Sequence, residues 1–322
     1  MNSVFYEEIV EYLSLREKFF APTTITMDRC ALFSFDQHLV NRGKAERSDC
    51  EDDVASWLQP MYHKLARNTI AGKIRSLRMF LEYLRNKEVP VYIPPRLKVS
   101  ETYVPYLFSD AEIKNIFAAA DSISFRKNSK HPIIFPMVLR MLYSCGFRLG
   151  ELLAIQVCDI SFKQGVVLLR DTKNRKQRMV PLGDTLTDML YRYCLAMDLL
   201  GDSENYIFPG REFGKHISQR VIEEWFEALL KENGIYNRTK KYARGPCLHC
   251  FRHLFTVKAF AQAENAGRPI KESVPFLSVY LGHSSMNETE KYLKFSSDIF
   301  PEHTALFETY AQGIFPEVCY EG

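Results

Sequence analysis

Six side chains spread along this sequence could act together on a phosphate: Arg148, Lys173, His249, Arg252, His283 and Tyr292. A phosphodiester resists attack because it is anionic and its leaving alkoxide is poor, so chemistry at phosphorus needs positive charge and a proton for the departing oxygen. The guanidinium groups of Arg148 and Arg252 can each donate paired hydrogen bonds to non-bridging oxygens, a geometry an ammonium cannot reproduce. Lys173 lies in the basic stretch Thr172–Arg178, where a flexible loop can neutralise phosphate or pass a proton to a leaving oxygen. Lys176 stands close enough in the same loop to compete for that role. Taken singly, each residue has a plainer reading. Arg148 and Glu151, three apart on a helix, make an ordinary surface ion pair, and a tyrosine in a chain with 17 of them packs by default.

The elements that must position these groups show in the periodicity. From Asn68 to Lys87, Ile70, Ile74, Leu77, Leu81 and Leu84 recur at spacings of four, three, four and three, which predicts an amphipathic helix with one buried stripe. Around that stripe, Lys64, Arg67, Lys73, Arg75, Arg78, Arg85 and Lys87 face a single acid, Glu82. Such a face is either solvated or laid along a polyanion. Pro90, Pro94, Pro95 and Pro105 make Val89–Leu107 an extended connection, and a new helix is expected from Ser109, with Glu112 completing a capping box. Pro132–Gln156 is apolar and helical in pattern, with a break near Cys145-Gly146, and Val166–Leu169 and Arg178–Leu182 read as strands joined by the basic loop Asp171–Gln177. His249 and Arg252 are expected on one helical face, with Leu248, Phe251 and Phe255 on the buried one. Upstream, Arg238, Lys240, Lys241 and Arg244 lie in a stretch from Tyr236 to His253 without a single acid, the strongest nucleic-acid footprint in the chain. Asn287 and Glu290 are placed to cap a short helix that would present Tyr292.

The motifs in chain order are G-x-R-x-x-E at Gly146–Glu151, R-x-V-P-L at Arg178–Leu182, H-x-x-R-H at His249–His253, L-G-H at Leu281–His283, and Tyr292 nine positions after His283. This arrangement resembles the tyrosine recombinase and phage integrase family, over Ser109 to about Phe295. The resemblance implies a mainly α fold with a small β-hairpin or sheet: a helical N-terminal core-binding domain over 1–93, a linker over 94–106, and an α-rich catalytic domain over 107–322. It implies Tyr292 as nucleophile, His249 as the group that helps remove its proton, His283 as a phosphate hydrogen-bond donor, Lys173 as general acid and Glu151 as a support for the arginines. The R-x-V-P-L register favours Lys173 over Lys176. Cutting and rejoining through a 3′-phosphotyrosyl bond would then need no cofactor and no metal. The implied partners are double-stranded DNA, contacted also through Arg175 and Lys176, further copies of the chain in a tetramer on two DNA sites, and accessory DNA-binding proteins. A type IB topoisomerase and a DNA-binding relative without catalysis are the competing readings.

Bulk properties set limits. A formal charge of +3 across 322 residues leaves DNA binding to local clusters. Eight scattered cysteines in a long chain fit a reducing cytosol, and Glu7 and Glu8 occupy the place where a secretory leader would be positive. No apolar run approaches a membrane span, so a cytoplasmic protein is the expectation, and the family resemblance implies work on the bacterial nucleoid, often by a protein encoded on a mobile element. A zinc site from Cys247, Cys250 and His253 lacks a second ligand pair at the usual spacing and is set aside. From Phe295 to Gly322 there is no Lys or Arg, and the acids and aromatics there suit a protein surface.

Overall fold

The stripe expected between Asn68 and Lys87 forms a helix over Arg67–Asn86. The computed structural model describes residues 2–44, 50–99, 105–124, 129–170, 177–235, 245–283 and 285–290. The chain divides into two units, Met1–Tyr103 and Val104–Gly322.

In the first unit, helices α1 (Tyr6–Glu17), α2 (Pro22–Asn41), α3 (Glu51–Leu58), α4 (Met61–Lys64) and α5 (Arg67–Asn86) enclose one core. Ile70, Ile74, Leu77, Leu81 and Leu84 are all buried there, joined by Phe80 and packed with Phe5, Ile9, Leu32, Phe35 and Trp57. The buried Asp28 carboxylate ties three helices together, accepting from Arg16 Nε at 2.9 Å and Ser76 Oγ at 2.6 Å. The basic face of α5 is partly spoken for within the unit. Arg78 pairs with Glu82 at 3.1 Å and donates to the Pro94 carbonyl, Lys87 meets Glu11 at 2.6 Å, and Arg67 Nε donates to the Lys98 carbonyl at 3.1 Å. Lys64, Arg75 and Arg85 are exposed and Lys73 is half-buried.

The second unit begins as the sequence predicts. Helix α6 (Asp110–Asp121) is capped by Ser109, whose Oγ accepts from the Glu112 backbone N–H at 3.3 Å while Glu112 Oε2 accepts from the Ser109 N–H at 2.8 Å. Ser109→Ala removes one side of this reciprocal cap and is expected to cost about 1 kcal/mol of stability, read as a lower Tm with unchanged helix content. Helix α7 (His131–Cys145) is buried on nearly every side, which is why its apolar pattern shows no polar stripe. It stops at Gly146, in the left-handed region at φ 61°. A Cβ at Gly146 would stand 2.6 Å from the Phe255 ring, so both the turn and the close approach require glycine.

Helix α8 (Leu149–Leu153) follows, then strands β1 (Ile160–Ser161), β2 (Val166–Leu169) and β3 (Arg178–Pro181). The expected hairpin is present, with Val167 opposite Val180 and Leu169 opposite Arg178, and β1 adds a third antiparallel strand. Two residues are too few for an alternation to show in sequence. Helices α9 (Asp184–Ala196), α10 (Gln219–Glu232), α11 (His249–Asn265), α12 (Ile270–Leu281) and α13 (Met286–Glu290) complete the described unit. Phe251 of α11 sits at the centre of the core, its ring 5.4 Å from that of Phe108 and 5.6 Å from that of Phe226. No helix among the described residues is long and apolar enough to cross a membrane.

Candidate active site

Arg148 is the N-cap of α8, with extended backbone, so it does not share a helical face with Glu151 as the spacing alone suggests. The two meet by reaching back across the cap: Glu151 Oε1 accepts from Arg148 Nη1 at 2.7 Å and Oε2 from the Arg148 backbone N–H at 3.3 Å. Glu151 is buried, and a second guanidinium holds it, Arg178 Nη2 donating to Oε2 at 2.7 Å and Nη1 to Oε1 at 3.3 Å. Burial pushes this carboxyl up, but the hydrogen bonds and charges of Arg178 and Arg148 outweigh it and hold Glu151 below the usual carboxylate range.

Arg252 departs further from expectation. In place of an exposed face shared with His249, it is 1% exposed in the first turn of α11, because α11 is sandwiched between α7 and α12 and buries most of its circumference. His249 is exposed. Arg252 Nη1 donates to the Gly146 carbonyl at 2.8 Å and Nη2 to the Leu281 carbonyl at 2.6 Å. Carbonyl dipoles solvate a guanidinium without cancelling its charge. Arg148 reaches the same place, with Nη1 and Nη2 at 3.5 and 3.4 Å from the Gly282 carbonyl. The C-terminal carbonyls of α12, the negative end of its dipole, thus gather both arginines of the two upstream motifs.

Gly282 makes this possible. It ends α12 at φ 65°, and the His283 N–H turns back to the Ser278 carbonyl at 2.9 Å. His283 is thereby placed beside the arginines and is fixed by a short chain, its Nδ1 2.6 Å from Thr289 Oγ1, which is itself 2.6 Å from Ser278 Oγ. The helix carrying Thr289 begins at Met286, one residue before Asn287, so Asn287 lies inside α13 and not at its N-cap as the Asn287–Glu290 spacing suggests.

Two imidazoles in the cluster are held neutral. Burial, then the neighbouring His249 and Arg252, lowers the pKa of His253 to about 3, and burial with Arg252 lowers that of His283 to about 4. Both folded values lie below the ordinary His value near 6.5, so the unfolded chain takes up protons first as the pH falls. Stability is therefore full above pH ~6.5 and declines below it, by up to about 1.4 kcal/mol per pH unit for each such histidine, with a slope reaching toward pH 4. Melts of the DNA-free protein from pH 8 to pH 5 should show Tm falling below ~6.5, and His253→Gln should flatten that slope. An unchanged slope in the variant would contradict the assignment.

Of the remaining expectations, His249 lies against His253 with ring centroids 4.7 Å apart. Tyr280, the other tyrosine in this segment, donates its hydroxyl to the Cys145 carbonyl at 3.2 Å and stacks on Phe255, and burial raises its pKa. The sulfurs of Cys247 and Cys250 lie 3.7 Å apart, and no group of three His, Cys, Asp or Glu side chains suited to a metal occurs among the described residues. Lys173, Arg175, Lys176, Arg238, Lys240, Lys241, Arg244 and Tyr292 lie outside the described residues. Sequence alone assigns no role to Arg178 or Thr289. Arg178 is part of the R-x-V-P-L motif, and Thr289 carried no signal.

The profile of the phage integrase family matches residues 107–297 of this chain, well over half its length and including every residue of the cluster. The chain belongs to the phage integrase family of tyrosine recombinases. Tyrosine recombinase XerC of Lacticaseibacillus casei is 27% identical over 296 residues, covering 88% of this chain and 91% of that protein. Among solved structures, the XerH site-specific recombinase bound to palindromic difH substrate in a post-cleavage complex superposes with a TM-score of 0.65 at 16% identity, covering 88% of this recombinase and 80% of that chain. A lambda integrase dimer bound to a COC′ core site gives 0.63 at 15% identity, covering 90% and 77%. At such identities the two structures bear on fold alone, and they agree with a mainly helical recombinase carrying a small sheet. The recombinase is accordingly a DNA strand-transferring enzyme.

Proposed function

We propose that this recombinase cuts and rejoins double-stranded DNA at specific sites, with Tyr292 as nucleophile. The observation that supports it most is the convergence of Arg148 and Arg252 on the last carbonyls of α12, beside His283. Two fixed guanidiniums next to a neutral imidazole suit a phosphate whose charge grows as it becomes pentacoordinate. In the cutting step, the Tyr292 oxygen bonds to phosphorus as its proton passes to His249. The bond from phosphorus to the 5′-oxygen breaks, and that oxygen takes a proton from Lys173, leaving a 3′-phosphotyrosyl bond and a free 5′-hydroxyl. A 5′-hydroxyl from another strand reverses the step, so the bond energy is conserved and no cofactor or metal is needed.

The biological setting belongs to the same proposal. The unit around α5 acts as the core-binding domain over 1–93, joined through 94–106 to the catalytic domain over 107–322. Lys64, Arg67, Lys73, Arg75 and Arg78 contact the DNA backbone from the first, and Arg175, Lys176, Arg238, Lys240, Lys241 and Arg244 from the second. Four copies work on two sites, in the cytoplasm on the nucleoid, with accessory DNA-binding proteins. The test is to incubate the full chain with nicked duplexes of randomised core sequence, isolate DNA covalently attached to protein, and sequence it. The proposal expects a defined captured sequence and, with two such duplexes present, joined products between them. Capture without joining, with relaxation of a supercoiled plasmid assayed in parallel, would indicate a topoisomerase, and absence of capture would indicate a binding protein without catalysis.

A further inference from the structure

The Glu151 carboxylate holds two guanidiniums, and only Arg148 has a role in the chemistry proposed above. Arg178, the first residue of β3, is the other. Its side chain is 10% exposed and grips both carboxylate oxygens, at 2.7 and 3.3 Å. It also lies flat against the turn that carries His283: a Cβ on Gly282 would stand 2.6 Å from Arg178 Nη1, 3.1 Å from Cζ and 3.4 Å from Nε. One side chain therefore touches three pieces of the site: the hairpin strand that leads out of the Lys173 loop, the start of α8, and the end of α12.

We infer that Arg178 is a positioning residue for strand cleavage, which fixes Glu151 and keeps Arg148 available to the scissile phosphate. Charge makes the argument. Arg148 paired one-to-one with Glu151 would be neutralised, whereas Arg148, Glu151 and Arg178 together carry a net positive charge that a scissile phosphate could meet. Geometry adds to it, since a planar fork that meets both carboxylate oxygens leaves Glu151 a single orientation, and Glu151 in turn orients Arg148. Stability alone does not call for this arrangement, because buried ion clusters are often matched or bettered by apolar packing of similar volume. The inference rests on the reading of the chain as a phosphotyrosyl-forming recombinase.

The test uses full-length wild type, Arg178→Met and Arg178→Lys, with the nicked duplex that wild type captures from the randomised pool. That duplex is made with either a phosphate or a neutral methylphosphonate at the mapped scissile position. On the phosphate, Arg178→Met is expected to slow covalent capture at saturating DNA by about 10- to 100-fold, with a much smaller change in Kd. Arg178→Lys, which keeps the charge but loses the fork, falls between, and supplies the same reading if the methionine variant does not fold. On the methylphosphonate the deficit relative to wild type should shrink, because the charge that Arg148 must meet is gone. A merely structural role would leave the same deficit on both substrates, and that result, or unaltered capture by both variants, overturns the inference alone. Failure of wild type to capture any duplex overturns the recombinase reading and this inference with it.

Discussion

Tyr292→Phe is expected to bind the captured DNA with the affinity of wild type and to form no covalent complex with it. The substitution removes one oxygen, and under the proposed function that oxygen is the atom that bonds to phosphorus, so the expected loss is limited only by the sensitivity of the assay. Tyr280→Phe is the informative comparison. The Tyr280 hydroxyl is spent on the Cys145 carbonyl, its ring is stacked on Phe255, and burial makes its proton harder to remove than that of a free tyrosine. Tyr280→Phe should therefore keep forming the adduct, which contrasts a packing tyrosine with a reacting one within a single segment. Were the two results reversed, the nucleophile would be Tyr280.

The second large effect separates the two arginines. Arg252→Lys places an ammonium where a fork now spans the carbonyls of Gly146 and Leu281, 2.8 and 2.6 Å from its two nitrogens. A lysine cannot serve both and still face a phosphate. One buried carbonyl is left short of a donor, at about 1–3 kcal/mol, and the cleavage rate should fall by about 10²- to 10³-fold. Arg148→Lys should lose rate by a similar factor with a smaller loss of stability, because the Arg148 side chain is 22% exposed and water can replace part of what it loses. Paired melts and single-turnover capture rates check both. Equal losses of stability in the two variants would mean that Arg252 is no more structural than Arg148.

Much of this was legible in the amino-acid order, and the parts that were not share a physical cause. Helix α5 and the Ser109 cap are local patterns, complete within one or two turns of chain, and they came out where the periodicity put them. The hairpin likewise needed only two short β-rich runs and a polar loop, while β1 was too short to leave a pattern. The burial of Arg252 does not show in the pattern because a helix packed between two others buries positions that amphipathicity assigns to solvent. Arg178 gave no hint of its partner, since a charged residue at a strand end reads as solvated until Glu151, 27 positions earlier, is folded against it. The same holds for Thr289, whose contact with His283 depends on the left-handed turn at Gly282. Order along the chain names candidates for the reacting groups. Their mutual support is a product of the fold.

The most direct measurement is to digest the covalent complex with trypsin and identify the peptide that carries nucleotide by mass spectrometry. Cleavage after Lys291 and Lys294 releases Tyr292-Leu293-Lys294, and the account predicts that this tripeptide holds the DNA through its 3′-phosphate, with a free 5′-hydroxyl on the other side of the cut. Nucleotide on any other peptide, or a tyrosine joined to a 5′-phosphate with the 3′-hydroxyl free, would contradict it.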